Sequence, residues 1–327
     1  MKKNHLEYSI VIPVFNAEKN LEELAIRLKK VLDRLNESYE LIFIDDNSSD
    51  RSWEILRSFR DKDIRIKCFQ MMRNFGQQNA TMCGLRQARG RFIITMDDDL
   101  QHPPEEIPAL IAEIKQGYDV VFGVPSSKKS RLHRRLGSWL TMKFYSWTFR
   151  IKGKGSAFRI IRSELAKQVL SYDLNYTYIN GLIAWYTTRI SQVTVSHQSR
   201  VHGKSGYTLS RLFALSFNMI TNFSLLPLQI ATMAGFLFAL LGFLIGIFFI
   251  VKKLAFGTPV SGFTAIIASI SFFSGMILLF LGIIGEYLGR IHQNISRKPQ
   301  YITRQEPEKE KNEKTELKER DSYKCRQ

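Results

Sequence analysis

Two apolar runs, Leu228 to Val251 and Phe263 to Ile284, are nearly free of charge, and each reaches the ~20 residues a helix needs to cross a hydrocarbon core. The connector between them, Lys252 to Gly262, is too short to be a domain. The pair therefore predicts a transmembrane hairpin, about 228–251 and 263–287, with both outer ends on one side of the bilayer. Arg211 before it and Arg290, Arg297 and Lys298 after it outweigh Lys252 and Lys253 in the connector, which places the large N-terminal part and the tail in the cytosol. The expected location is integral to an inner or plasma membrane. Three units follow: a cytosolic domain over 1–225, two membrane helices within 226–290, and a charged, disordered tail over 291–327.

Up to about Val124, short β-rich apolar runs alternate with longer amphipathic stretches, the pattern of a mostly parallel sheet covered by helices. Strands are expected near Tyr8–Val14, Leu41–Asp45, Arg65–Phe69, Phe92–Met96 and Val120–Val124. Helices are expected near Glu18–Leu35, Ser52–Arg60, Gln77–Arg89 and Pro104–Gln116, with Ser49 or Asp50 capping the second and Gly90 and Gly117 at helix stops. Such α/β sheets bind ligands at the carboxyl edge of their strands.

A net charge of +17 calls for a polyanionic partner. The basic residues stand beside aromatic stretches, which favours a lipid surface over nucleic acid: Lys128, Lys129, Arg131, Arg134 and Arg135 precede Trp139, Phe144, Tyr145 and Trp147. This segment, and a second around Thr208 to Phe223, read as interfacial amphipathic helices. Three cysteines, Cys68, Cys83 and Cys325, form neither an even-numbered framework nor a CxxC pair. The short run Ile10 to Phe15, broken by Pro13, is no secretory signal.

The stretch Phe92 to Glu105 is an apolar strand that ends in Asp97, Asp98 and Asp99. On an extended backbone Asp97 and Asp99 face one way while Asp98 turns aside, so the outer pair, with Gln101, makes a hard oxygen site for Mg2+ or Mn2+. At the end of the second strand, Asp45 and Asp46 could accept hydrogen bonds from a ribose or base, and Ser49 and Asp50 also suit a capping turn. No GxGxxG or Walker glycine loop is present, which disfavours a dinucleotide enzyme or P-loop kinase.

Taken in order, Pro13-Val14-Phe15-Asn16, Asp45-Asp46-Asn47-Ser48-Ser49-Asp50, Arg73-Asn74-Phe75-Gly76, Asp97-Asp98-Asp99-Leu100-Gln101 and Pro103-Pro104-Glu105 resemble the family 2 inverting glycosyltransferases of GT-A fold. The order, with the double span and Gly285 to Arg290, is most similar to the polyprenyl-phosphate glycosyltransferases. The resemblance implies a nucleotide-sugar donor, a polyprenyl-phosphate acceptor, the bilayer as a partner and, as in relatives, homo-oligomers assembled through membrane regions. It implies that Pro13, Val14, Asn16, Asp45, Asp46, Asn74 and Asp98 line the nucleotide-sugar site and that Asp97, Asp99 and Gln101 hold the metal. Arg200, Lys204, Ser205 and Tyr207 fall where the family has a basic glycine-containing loop that closes over the diphosphate, a composition that suits an anion clamp. Arg159 falls in a family-like Phe-Arg motif and is a candidate to grip the acceptor phosphate, with Lys128, Lys129 and Arg131 as further candidates.

Two departures stand out. Asn16 is followed by Ala17 where many relatives have Glu, and Ala157 precedes Phe158-Arg159 where many have an Asp proposed as a base. A phosphate monoester has its second pKa near 6. At neutral pH it is already a nucleophile without a proton to remove, so the missing Asp favours a lipid phosphate over a hydroxyl acceptor. Two alternatives are weighed against this. A processive polysaccharide synthase would need more spans and a Gln-x-x-Arg-Trp motif, and Gln198-Ser199-Arg200 has no tryptophan. A catalytically silent nucleotide-sugar-binding scaffold has only Ala157 in its favour.

Overall fold

The computed structural model describes residues 6–125, 155–172, 177–196, 226–256, 262–295 and 299–304. The elements are β1 (Tyr8–Val14), α1 (Leu21–Asp33), β2 (Tyr39–Asp45), α2 (Ser52–Lys62), β3 (Ile66–Gln70), α3 (Gln77–Gln87), β4 (Phe92–Thr95), α4 (Ile107–Ile114), β5 (Val120–Pro125), β6 (Arg159–Arg162), α5 (Ser163–Leu170), α6 (Ile179–Tyr186), β7 (Ile190–Val195), α7 (Leu226–Phe256) and α8 (Phe263–Ile295). A single turn of 3-10 helix, Pro104–Glu106, leads into α4.

Seven strands form one sheet in the order β3-β2-β1-β4-β6-β5-β7. All neighbours are parallel except β6, which runs antiparallel between β4 and β5. β1 and β2 are buried along their whole length, as strands covered on both faces must be, whereas the edge strand β3, IKCFQ, mixes buried and half-buried residues. One face packs under α1, α2 and α4 through Leu24, Leu28, Leu56, Leu110 and Ile114. The other packs under α3, α5 and α6 through Met82, Leu85, Leu165, Val169 and Leu182.

Pro13 is tolerated in this central strand for a geometric reason. Val11 turns its backbone toward β4, where its carbonyl accepts from Met96 N–H at 3.2 Å. Pro13, two residues on, faces the same way but lies beyond the last β1–β4 pair, Val11 with Thr95, so its missing N–H costs no ladder bond. Gly90 is fixed by space: a Cβ there would stand 2.6 Å from Ser9 N. Asp50 accepts from Ser52 N–H at 3.0 Å and also from Glu18 N–H at 3.1 Å, so it organises two loops rather than one helix start.

Sequence and structure differ in two places. β4 ends at Thr95, so the three aspartates follow the strand in a bent loop and extended-strand alternation does not orient them. β6 and β7 were not foreseen, because RIIR has only two apolar residues between arginines and ISQVTV interrupts its apolar residues with polar ones. The long apolar region is helical as α7 and α8, which touch through the rings of Phe238 and Phe272, 5.8 Å apart. Among the described residues one window, Phe272–Gly289, is long and apolar enough to cross a membrane, and Leu228–Leu244 is a shorter apolar stretch. Both expected interfacial segments lie outside the described residues.

Candidate active site

Parallel strands deliver their carboxyl ends to one edge, and there the loops after β1, β2, β3 and β4 are joined by side-chain hydrogen bonds in a closed circuit. Three of these loops carry a non-glycine residue in the left-handed region: Asn16 (φ 52), Asn47 (φ 57) and Leu100 (φ 57). Asparagine accepts that conformation readily, leucine does not. Leu100 is held there by its side chain, which is 1% exposed within the core under α1 and α4.

The circuit starts at Asn16. Its N–H donates to Ser48 Oγ at 2.9 Å, and its Oδ1 accepts from Ser49 N–H at 2.8 Å, tying the β1 loop to the β2 loop. Asp45, fully buried, accepts from Ser48 N–H at 3.2 Å and from the Gln70 amide at 3.1 Å. Asp46, 3% exposed, accepts from Phe75 N–H at 2.7 Å with one oxygen and from Gly76 N–H at 2.8 Å with the other. Gly76 has φ 89, which a residue with a side chain would adopt only under strain, so the turn that aims both N–H groups at Asp46 needs glycine here. Burial pushes the Asp46 carboxyl up, against the pull of the two backbone N–H groups and with a smaller push from Asp45.

On the other side the Phe15 N–H donates to Asp98 at 3.0 Å, which joins the β1 loop to the acidic loop. Burial above all, with added repulsion from Asp97 and Asp99, raises the Asp98 carboxyl to about 7, while the Phe15 N–H works in the opposite sense. The Gln77 amide donates to Asp97 Oδ1 and so returns the circuit to the start of α3. Asp99 Oδ1 accepts from Gln101 N–H at 3.1 Å. Beyond the loop, Glu105 is clasped by Arg27 of α1 at 3.0 and 2.7 Å, an arrangement that holds the Pro103-Pro104-Glu105 segment and lowers the Glu105 carboxyl.

The structure thus gathers Pro13, Val14, Asn16, Asp45, Asp46, Asn74, Asp97, Asp98, Asp99 and Gln101 at one edge, with Asn74 exposed on the β3 loop and Pro13 and Val14 buried in β1 beneath it. Asp45 and Asp46 are engaged by loop groups of the protein itself, so the geometry gives them a loop-holding role. Asp97, Asp99 and Gln101 are half-buried side chains within five residues. No three His, Cys, Asp or Glu side chains converge among the described residues. A cation held by these two carboxylates and an amide would complete its shell with diphosphate oxygens and water, which is how Mg2+ is usually bound.

Arg159 is placed elsewhere than expected. It opens β6, is 2% exposed, and its guanidinium donates to Thr95 Oγ1 at 3.1 Å and to Asn180 Oδ1, so in this structure it braces the strands under the site and does not present itself to an acceptor. Its buried guanidinium is tolerated because Thr95 Oγ1 and Asn180 Oδ1 both accept from it. Sequence reasoning missed Gln77, whose amide meets a carboxylate 20 positions away, and Ser48, whose role depends on where the Asn16 N–H points. Arg200, Lys204, Ser205 and Tyr207, and Lys128, Lys129 and Arg131, lie outside the described residues.

Residues 9–170 match the family model described as glycosyl transferase family 2. The chain is 35% identical over 281 residues to the uncharacterized glycosyltransferase YkcC of Bacillus subtilis, a match that covers 83% of this chain and 85% of that one. It is 36% identical over 257 residues to an undecaprenyl-phosphate 4-deoxy-4-formamido-L-arabinose transferase of Yersinia pestis, covering 78% and 79%. Among solved structures, glucosyl-3-phosphoglycerate synthase from Mycobacterium tuberculosis in complex with Mn2+ and UDP-glucose superimposes with a TM-score of 0.50 at 19% identity, covering 67% of this chain and 78% of that one. That likeness establishes the fold, GT-A-like with a mostly parallel sheet. The chain belongs to glycosyl transferase family 2, and it is a glycosyltransferase.

Proposed function

We propose that this enzyme transfers a sugar, with inversion and with help from a divalent cation, from a nucleotide-sugar donor to a polyprenyl phosphate at the cytosolic face of a membrane. One observation carries it. The likeness to an undecaprenyl-phosphate 4-deoxy-4-formamido-L-arabinose transferase of Pseudomonas aeruginosa covers 82% of this chain, more than the residues before Leu226 can supply, so it extends from the sheet into the apolar helices. Those helices support a membrane: Phe236, Leu237, Phe243, Leu278 and Leu279 are all more than half exposed, a surface that water would penalise and lipid would accept. In this proposal residues 1–225 are the catalytic domain, 226–290 the membrane hairpin and 291–327 a cytosolic tail.

The nucleoside lies against the β1, β2 and β3 loops, whose shape Asp45, Asp46 and Asn16 set. Asp97, Asp99 and Gln101 would hold the cation, and Mg2+ or Mn2+ would supply positive charge to offset that building on the departing diphosphate. Asp98 keeps the β1 loop against this acidic loop. Lys204 and Arg200, which lie outside the described residues, are assigned as cations for the diphosphate. The acceptor phosphate, mostly dianionic at neutral pH, attacks the anomeric carbon from the side opposite the diphosphate, and the enzyme contributes alignment rather than a base. The sugar, the nucleobase and the polyprenol are to be read from experiment: membranes carrying the protein are incubated with a panel of labelled nucleotide sugars and undecaprenyl phosphate. Label moves into the organic phase for one donor, and D97A/D99A abolishes the movement. Transfer that survives the double substitution would overturn the metal site.

A further inference from the structure

The segment just beyond α8 comes back to the catalytic domain. β3 is the edge strand of the sheet, and its last residues are covered by residues 299–304. Arg304 N–H donates to Gln70 O at 2.8 Å, Met72 N–H donates to Ile302 O at 2.9 Å, and Met71 opposes Thr303 in an antiparallel bridge. Met71 turns its own N–H the other way, to Asp45 O at 2.8 Å, so the bridge is made on the free side of the edge. Side chains extend the contact. The Gln300 amide donates to Tyr172 O at 3.1 Å, beyond the end of α5. Tyr301 lies under the Arg86 guanidinium of α3, 5.5 Å from its ring centre, and its ring packs against the core beneath that helix. Arg304 extends to Asn47 Oδ1 at 3.4 Å, in the β2 loop.

Two of these contacts bear directly on the site. Gln70, whose carbonyl is taken by Arg304, gives its side-chain amide to Asp45. Met72, whose N–H is taken by Ile302, begins the stretch that runs through Arg73 and Asn74 to the two N–H groups held by Asp46. The chain after α8 therefore pins the β3 loop from outside while Asp46 pins it from inside.

We propose that residues 299–304 are a positioning element of the donor site, a strap that fixes the Met71–Gly76 loop and sets Arg304 at the rim beside Asn47. The site is then complete only when the chain leaving α8 is docked on β3, which couples seating of the apolar helices to donor affinity. This rests on the donor assignment of the β1, β2 and β3 loops made above.

The test uses the full chain in detergent or nanodiscs. Wild type is titrated with UDP, GDP, CDP and ADP, and the nucleotide that binds is carried through the variants, so no acceptor is needed. Arg304→Pro removes the N–H given to Gln70, Tyr301→Ala removes the ring over Arg86, and Tyr301→Phe keeps that ring. Arg304→Pro and Tyr301→Ala are expected to weaken the nucleotide about 10-fold. Hydrogen exchange at Met72, Phe75 and Gly76 should accelerate by a similar factor in both, roughly 10-fold. Tyr301→Phe should recover most of the affinity. Unchanged exchange at Met72 to Gly76 in Arg304→Pro would overturn the docking, and faster exchange with unchanged nucleotide affinity would overturn the positioning role. Failure of the donor assignment is told apart because wild type itself would then bind none of the four nucleotides.

Discussion

The Phe15 N–H donates to the Asp98 carboxylate at 3.0 Å, a bond that spans 83 positions of sequence and fastens the loop after β1 to the acidic loop after β4. Either protonation state of Asp98 leaves an oxygen able to accept, and so does the amide of asparagine. Asp98→Asn should therefore keep nucleotide affinity within about 3-fold, whereas Asp98→Ala, which frees the Phe15 N–H, should weaken it about 10-fold. Calorimetric titration of both variants checks this. Equal losses in the two would mean that charge, not the loop contact, is what Asp98 contributes.

Asp46 accepts two N–H groups with two oxygens inside the protein. Asparagine offers only one acceptor, so one buried N–H would face an NH2 group. A buried donor left unmet costs about 1–3 kcal/mol. Asp46→Asn should lower unfolding free energy by about that amount and raise hydrogen exchange at Phe75 and Gly76 selectively. Wild-type stability with unchanged exchange at these two amides would remove Asp46 from the circuit.

The residue types at this edge were legible in the sequence because acidic residues directly follow the apolar runs of β2 and β4, although Asp45 and Asp46 serve there to hold loops. Its wiring was not. Asp46, Asn16 and Asp98 bind backbone N–H groups of Phe75, Gly76, Ser49 and Phe15, and no residue letter encodes which way a backbone amide points. Arg159 shows the same gap from the other side. A Phe-Arg pair reads as a cation ready for phosphate until β6 is seen to lie between β4 and β5, and that strand is hard to detect because its four residues begin and end with arginine. β1, β2, β4 and β5 were legible for the opposite reason: strands sandwiched between two helix layers are mostly apolar.

Away from the site, Asp63 links the end of α2 to β3. It accepts from Arg65 at 3.0 Å and pairs with Lys29 at 2.7 Å. The Arg65 hydrogen bond first, then Lys29, holds its carboxyl well below the ordinary range, against desolvation. A depressed native pKa means the unfolded chain binds the proton first as pH falls, so the stabilisation is full above the unfolded value of about 3.9 and is lost as pH drops toward the native one. Asp63→Asn should cost roughly 2 kcal/mol at pH 7 and flatten the acid limb of the stability curve below pH ~4. Denaturation midpoints from pH 7 downward measure it, and parallel curves for wild type and variant would contradict it.

Ala157 directly precedes Phe158-Arg159, and its carbonyl accepts from Thr95 Oγ1 at 2.6 Å, which places it beside the end of β4 and next to the acidic loop. If the acceptor were a hydroxyl, restoring the acid would supply a general base, an effect typically worth 10²-fold or more. A phosphate dianion needs none. Ala157→Asp is therefore expected to leave kcat within about 3-fold at pH 7.5, and to raise the KM for polyprenyl phosphate if the new carboxylate faces the acceptor anion. With wild type, the transfer rate should climb through pH ~6, as the acceptor loses its second proton, and then level off. A gain of ten-fold or more in Ala157→Asp at saturating acceptor, with no break near pH 6 in the wild-type profile, would show that proton removal limits the reaction and that the acceptor is not a phosphate.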